Sequence, residues 1–339
     1  MKRILNCLSL SLILWPGTVI AEAQTTAPGI AIAGIESQAG SLYQQQRYSE
    51  AFAAYQQGAN LGSATCQNNL ATMYFSGQGT AKDLRQAFKW FSEAAQQGYL
   101  SAEDYLGVMY FKGLGTSRNF RQAFKWFAKA AQQGYAPAET NLGNMYRNGW
   151  GTARDYAQAL DWYGKAALQG AVNAEDHLGM MYQKGFGAPQ DYAQALAWYG
   201  KAATQGHAEA QCHIGLMYQK GWGVTQDYMQ AREWFSKAAQ QGFAPAEDDL
   251  GIIYFKGLGT AQDYPQAITW FRNASGHGDA GAEINLGFMY LYGQGVAMDY
   301  SQARAWFQKA ASKGSNDAKS WLARMETQTI ASTPPNAAN

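Results

Sequence analysis

The sequence predicts an all-α fold, a right-handed α-solenoid of stacked antiparallel helix pairs. Three observations predict it. First, tryptophan recurs at Trp90, Trp126, Trp162, Trp198, Trp234, Trp270 and Trp306, always 36 residues apart. A fixed period over most of a chain marks units that stack on their neighbours instead of closing around one core. Second, apolar residues inside one unit fall twice at helical spacing: Ala102, Leu106, Met109 and Tyr110, then Ala123, Trp126, Phe127, Ala130 and Ala131. Third, glycines and acids punctuate the two stripes at fixed places. Helices of about 12–14 residues are marginal alone, so stacking must supply their burial.

The N-terminus reads as an export signal covering residues 1–23. Lys2 and Arg3 precede an apolar run from Ile4 to Leu14, and Ala21-Glu22-Ala23 supplies a small-residue cleavage site. Cleavage after Ala23 is expected, with cleavage after Ala21 as the alternative. The run is shorter than the ~20 residues of a membrane span. The whole chain carries a formal charge of +1; without Lys2, Arg3 and Glu22 it has 24 basic and 24 acidic residues. Such neutrality argues against nucleic acid as the main partner. Of the mature cysteines, Cys66 and Cys212 lie four repeats apart, beyond disulfide reach in a stack. Two free thiols are expected.

Residues 24–63 form a leader and an N-terminal capping hairpin, with Leu42, Ala51 and Tyr55 at tight spacing and helices near 32–46 and 48–60. Residues 64–314 hold seven units. Each first helix carries a leucine column (Ile at Ile214) and a tyrosine column from Tyr74 to Tyr290. A glycine from Gly107 to Gly287 interrupts six of the first helices, at a cost of ~1 kcal/mol against alanine. A cost taken repeatedly at one place implies a close neighbour there. A G-x-G turn follows, from Gly77/Gly79 to Gly293/Gly295. The second helix opens with an acid or amide and a glutamine three residues on, as in Asp83…Gln86 and Asn119…Gln122. That spacing predicts a reciprocal capping box. Gly98, Gly134, Gly170 and their equivalents end the second helix. Pro137 and Pro245 fit first turns of helices. The tryptophan column is expected in the core. Residues 315–328 form a C-terminal capping helix, where Ala318, Leu322 and Met325 keep the pattern, and 329–339 form a disordered tail.

The unit A-x3-L-G-x-M-Y-x2-G-x-G…D-Y-x2-A-x2-W-Y/F-x-K-A-A-x2-G resembles the Sel1-like repeat, a relative of the tetratricopeptide repeat with a longer connection between helices. Ala174-Glu175-Asp176-His177-Leu178-Gly179-Met180-Met181-Tyr182 is among its best copies. Ile253 and Ser275 depart from it, and Gly276-His277-Gly278 loosens one helix end. The resemblance implies that first helices line a concave groove.

Four columns on that face vary while their neighbours repeat. They contribute the candidate partner-binding residues Tyr105, Phe111, Lys112, Asn141, Asn144, Arg147, Asn148, His177, Met180, Lys184, His213, Leu216, Lys220, Asp249 and Lys256. Apolar, amide and lysine side chains together suit an extended peptide or a partner's helix. The residue between the two glycines forms a second candidate, a loop ridge of Trp150, Phe186 and Trp222, which either meets a partner or covers the fold's own edge. His177 and His213 recur in one column, but a zinc site needs three or four converging ligands, so neither metal nor cofactor is expected. No catalytic motif appears. The expected function is a non-enzymatic scaffold in the envelope of a Gram-negative bacterium, periplasmic or released. It would be monomeric, bind a protein or peptide, and have no membrane span after signal removal. The alternative is a scaffold on peptidoglycan or another polysaccharide, using Trp150, Trp222 and groove amides.

Overall fold

The computed structural model describes residues 27–332, with side chains from 31 to 326. The export signal and residues 333–339 lie outside them. Among the described residues all regular structure is helical, in seventeen helices. They fall into two compact units that divide after Pro189.

The first unit holds α1 (Ala27–Gln44), α2 (Tyr48–Asn60), α3 (Ala64–Ser76), α4 (Leu84–Gln96), α5 (Leu100–Lys112), α6 (Phe120–Ala131), α7 (Ala136–Asn148), α8 (Tyr156–Leu168) and α9 (Val172–Lys184). The second holds α10 (Tyr192–Thr204), α11 (Ala208–Lys220), α12 (Tyr228–Ala239), α13 (Ala244–Lys256), α14 (Tyr264–Gly276), α15 (Ala280–Tyr292), α16 (Tyr300–Ser312) and α17 (Asn316–Ser332). Within each unit every helix packs mainly on the next in sequence. Core clusters therefore lie between successive pairs, as with Val108, Phe127, Leu142 and Met145 in the first unit and Phe235, Leu250 and Ile253 in the second.

Each connection is built by the same few bonds. The first helix stops at a glycine with positive φ, such as Gly113 at 73°, whose N–H donates to Met109 O at 2.8 Å. A left-handed residue there satisfies the orphan carbonyl, and glycine adopts it without steric cost. The second helix is capped as read: Asp155 Oδ1 accepts from Gln158 N at 3.0 Å, and Asn119 Oδ1 from Gln122 N at 3.1 Å. The reciprocal half of the box differs. The N–H of Asn119 donates to Tyr110 O at 2.8 Å, and that of Asp155 to Tyr146 O at 2.9 Å. The tyrosine carbonyl nine residues back replaces the glutamine side chain, so one bond caps the helix and closes the connection.

The interrupting glycines explain the pairing of helices. A Cβ on Gly107 would overlap the ring of Phe127; on Gly143 it would lie 2.6 Å from Tyr163, and on Gly215 2.7 Å from Phe235. The close neighbour is thus an aromatic ring from the second helix of the same repeat. These rings, not the tryptophans, are the fully buried ones. The tryptophans are half-buried at the margin, with lysines over several: Lys165 over Trp162 at 3.9 Å, Lys201 over Trp198 at 3.6 Å and Lys237 over Trp234 at 3.8 Å. This corrects the assignment of the tryptophan column to the core. An amphipathic indole at the edge keeps one face for the core and one for a cation.

The termini depart from the pattern. Gln46 takes φ 61° in the short α1–α2 turn, where other pairs have the G-x-G insertion. The last helix runs to Ser332, so residues 329–332 of the expected tail are helical.

Candidate functional site

Variation along the first-helix columns implies side chains free of packing. For several residues the structure reverses this. Phe111, Asn141, Asn144 and His177 are buried, at 1%, 3%, 1% and 7% exposure, and cannot meet a partner. Each fills a slot facing its own stack. Phe111 packs on Phe120 at 5.1 Å and on Trp150 at 4.9 Å. Asn144 Oδ1 accepts from the Tyr163 hydroxyl at 2.8 Å. The His177 ring lies 4.9 Å from that of Tyr163.

The half-buried members of the same columns are also engaged. Tyr105 stacks on Phe91 at 4.6 Å and 9°, and His213 packs on Tyr199 at 4.7 Å. These side chains line seams between repeats. Asn141 Nδ2 donates to Asp104 Oδ1 at 2.9 Å across one seam of the first unit. In the second unit Cys212 Sγ lies 3.9 Å from Asp249 Oδ2, and Asn285 Nδ2 donates to Asp248 Oδ1 at 2.9 Å. Two carboxyls on these rungs are weak acids. Burial pushes Asp104 up to about 7, opposed by the Asn141 hydrogen bond. Burial also pushes Asp249 up to about 7, with Asp248 and Asp279 adding to it and Lys220 opposing. Asp249 is therefore part of a repeat seam, not an outward recognition residue.

What remains outside is narrower. Lys184, Lys220 and Lys256 are exposed, and Lys112, Arg147, Asn148, Met180 and Leu216 are half-exposed. Asn148 spends its amide on Asn144 O at 2.8 Å. Leu216 packs partly on the core around Phe235. The lysines sit in the last turn of α5, α9, α11 and α13, where the negative end of the helix dipole favours a cation.

The loop ridge is chiefly structural. Trp150 lies over Phe120 at 6.3 Å and 19°, Phe186 over Tyr156 at 4.5 Å and 6°, and Trp222 over Tyr192 at 6.1 Å and 8°. All three are half-buried. Each covers the first aromatic residue of the preceding repeat's second helix, so one face of each ring is taken.

Sequence reasoning missed a buried polar column: Gln67, Glu103, Glu139 and Glu175 in the first unit, and Gln211, Glu247 and Glu283 in the second, all at 7% exposure or less. Its partners come from the end of a second helix. Gln97 donates to Gln67 at 2.7 Å, Gln169 to Glu139 at 2.8 Å, and Gln241 to Gln211 at 2.9 Å. His277 Nδ1 lies 2.8 Å from Glu247, and Lys313 Nζ 2.6 Å from Glu283. The signal was present, since these positions share the 36-residue period. Cys66 and Cys212 are buried and not joined in a disulfide. No group of three or more His, Cys, Asp or Glu among the described residues is arranged to hold a metal ion.

A search of curated proteins finds no match. Among solved structures, a protective antigen of uropathogenic Escherichia coli with an SLR fold is similar at 36% identity and a TM-score of 0.68, covering 81% of this chain. This chain spans 59% of the antigen chain. A Sel1 repeat protein from Oxalobacter formigenes is similar at 32% identity and TM-score 0.68, over 71% of this chain and 96% of that one. Yeast Tom70, at 13% identity and TM-score 0.55 over 98% of this chain and 71% of that one, shares the fold alone. The family model of the Sel1 repeat matches seven times, at residues 64–99, 100–135, 136–170, 172–207, 208–243, 244–279 and 280–315, and the chain belongs to the Sel1 repeat family.

Proposed function

We propose that this chain is a non-enzymatic protein-interaction scaffold of the bacterial envelope, holding a peptide or partner segment on its first-helix face. One observation carries the reading. After packing has claimed Phe111, Asn141, Asn144 and His177, a lysine is left exposed at the end of successive first helices: Lys220 and Lys256 in the second unit, and Lys184 in the first. Repeat spacing with a like charge suits an extended partner carrying acidic side chains. The rings proposed for sugar faces support no second reading, because Trp150 and Trp222 each spend a face on a neighbouring ring.

The test is affinity purification from the envelope fraction with wild type and with Lys220→Glu/Lys256→Glu. Loss of specific partners from the variant is expected; an unchanged set removes the reading. Export is part of the proposal. No helix among the described residues is long and apolar enough to cross a membrane. Sequencing the N-terminus of protein recovered from the periplasm is expected to begin at Gln24, or at Glu22 for the alternative cleavage; a retained Met1 would exclude processing.

A further inference from the structure

The second glycine of each G-x-G turn rests on the first residue of the preceding repeat's second helix. A Cβ there would run into Tyr48 for Gly79, Leu84 for Gly115 and Tyr156 for Gly187 in the first unit, and into Tyr192 for Gly223 and Tyr264 for Gly295 in the second. The platform residue is half-buried in all seven cases. Tyr300 opens the last second helix and is the eighth platform. It receives no turn: at repeat spacing one would fall at residues 329–331, but α17 continues through them to Ser332. Tyr300 is 57% exposed.

The neighbouring residues change character at the same place. Tyr292 replaces the Ser, Lys or Asn of the other six repeats and is 58% exposed; Met298 replaces their Lys, Arg or Gln and is 61% exposed. Half of the exposed large hydrophobic residues among those described thus fall in one connector. Beneath it Phe288 stacks on Tyr292 at 6.1 Å and meets Trp321 edge-on at 5.1 Å. Isolated apolar side chains need no explanation, but a cluster that replaces polar residues marks a contact surface.

We propose that this connector docks a glycine-bracketed aromatic turn of a separate protein, extending the glycine contact that the chain makes seven times within itself and the ring stacking that Trp150, Phe186 and Trp222 add in three of those turns. Tyr300 supplies the ring face, and Met298 and Tyr292 flank it. The surface is independent of the lysines, so the two proposals fail separately.

The probe is a cyclic peptide containing Lys-Gly-Trp-Gly-Val, the sequence of residues 220–224, added to the mature chain carrying ¹³C-methyl methionine. The Met298 methyl resonance is expected to shift upfield under the indole ring current while that of Met109 stays fixed. A ring with Ala for Trp should leave it unmoved, and Tyr300→Ala should weaken binding at least tenfold. Tyr292→Lys/Met298→Lys restores residue types the other repeats tolerate, so it should fold and still lose binding of the fluorescently labelled peptide. No shift at millimolar peptide, or an equal shift in Tyr300→Ala, overturns the proposal. Binding only after removal of residues 333–339 would make the chain's own tail the occupant. A dimer in sedimentation that Tyr300→Ala abolishes would make it a second copy. Either result overturns the proposal of a separate partner.

Discussion

Two adjacent repeats of the first unit solve one packing problem in different ways. In the α5–α6 pair Val108 and Phe127 meet as an apolar slot, both nearly inaccessible. In the α7–α8 pair the same positions hold Asn144 and Tyr163, joined by a hydrogen bond of 2.8 Å. Here the amide supplies an acceptor for the buried hydroxyl, a role with no counterpart in the slot of Val108 and Phe127. The comparison teaches that a column varies for two reasons. It varies where nothing touches it, and also where each copy has settled its own contact. The second reason operates at Asn144, Asn141 and His177.

The largest expected effect shows what the two repeats share. Gly107→Ala and Gly143→Ala both drive a methyl into a ring that is itself fully buried. Overpacking of this kind costs about 1–3 kcal/mol, against which the gain in helix propensity is small. Thermal unfolding followed by circular dichroism should show similar drops for the two. A neutral result at either would mean that the ring yields, and would break the equivalence.

The next effect separates them. Asn144→Val removes the acceptor of the 2.8 Å hydrogen bond from the Tyr163 hydroxyl and should cost about 0.5–1.5 kcal/mol. Adding Tyr163→Phe recreates the Val108–Phe127 slot and should recover most of the loss, since Asn144 Nδ2 has no hydrogen-bond partner even in the native pair. A double-mutant cycle with no coupling would mean that the two slots are not alternatives.

The parts of the fold legible in the sequence are those where one physical demand recurs unchanged. Asp155 must cap α8 as Asn119 caps α6, and Gly149 must turn left-handed as Gly113 does. Periodicity therefore placed the helices and their ends. The interrupting glycine was readable as a close approach, but the ring that approaches was not, because sequence spacing does not say which face of the partner helix arrives. The glutamate column at Glu103 and Glu139 was equally periodic, yet charged residues are so rarely buried that it did not register as core. The site was the least legible. Lys184, Lys220 and Lys256 stand exposed where expected, while Asn141 and Asn144 belong to contacts between or within repeats.

A third test probes the seam joining these two repeats, where Asp104 meets Asn141. Burial raises Asp104 to about 7 from an ordinary value of 3.8. The folded state therefore binds a proton that the unfolded chain releases near pH 4. Stability from this group is fully present below that value, falls as pH rises toward about 7, and is level above. Asp104→Asn keeps an amide at the seam and has no proton to lose. Hydrogen exchange of α5 and α7 at pH 5 and pH 8 should show faster opening at pH 8 in wild type and a smaller difference in the variant. An identical pH response in both would place the titration elsewhere.

The smallest effect returns to the buried glutamates of the same two repeats. Glu103 has an ion pair with Lys129 at 2.8 Å, and Lys129 also donates to Ala95 O at 3.2 Å. Glu139 is held by the Gln169 amide instead, while the equivalent lysine, Lys165, turns to Asp161 at 2.8 Å and covers Trp162. Burial raises Glu139, opposed by Lys165 at longer range and by the Gln169 hydrogen bond. Lys129→Gln removes the positive partner of an inaccessible carboxylate; Lys165→Gln removes an exposed i,i+4 pair, which is worth about 0.3–0.5 kcal/mol. The first substitution should lower the melting temperature more than the second, by a margin of a few degrees at most. The reverse order would mean that Glu103 is stabilised mainly by the weaker contact from Gln133 at 3.4 Å, as Glu139 is by its own glutamine.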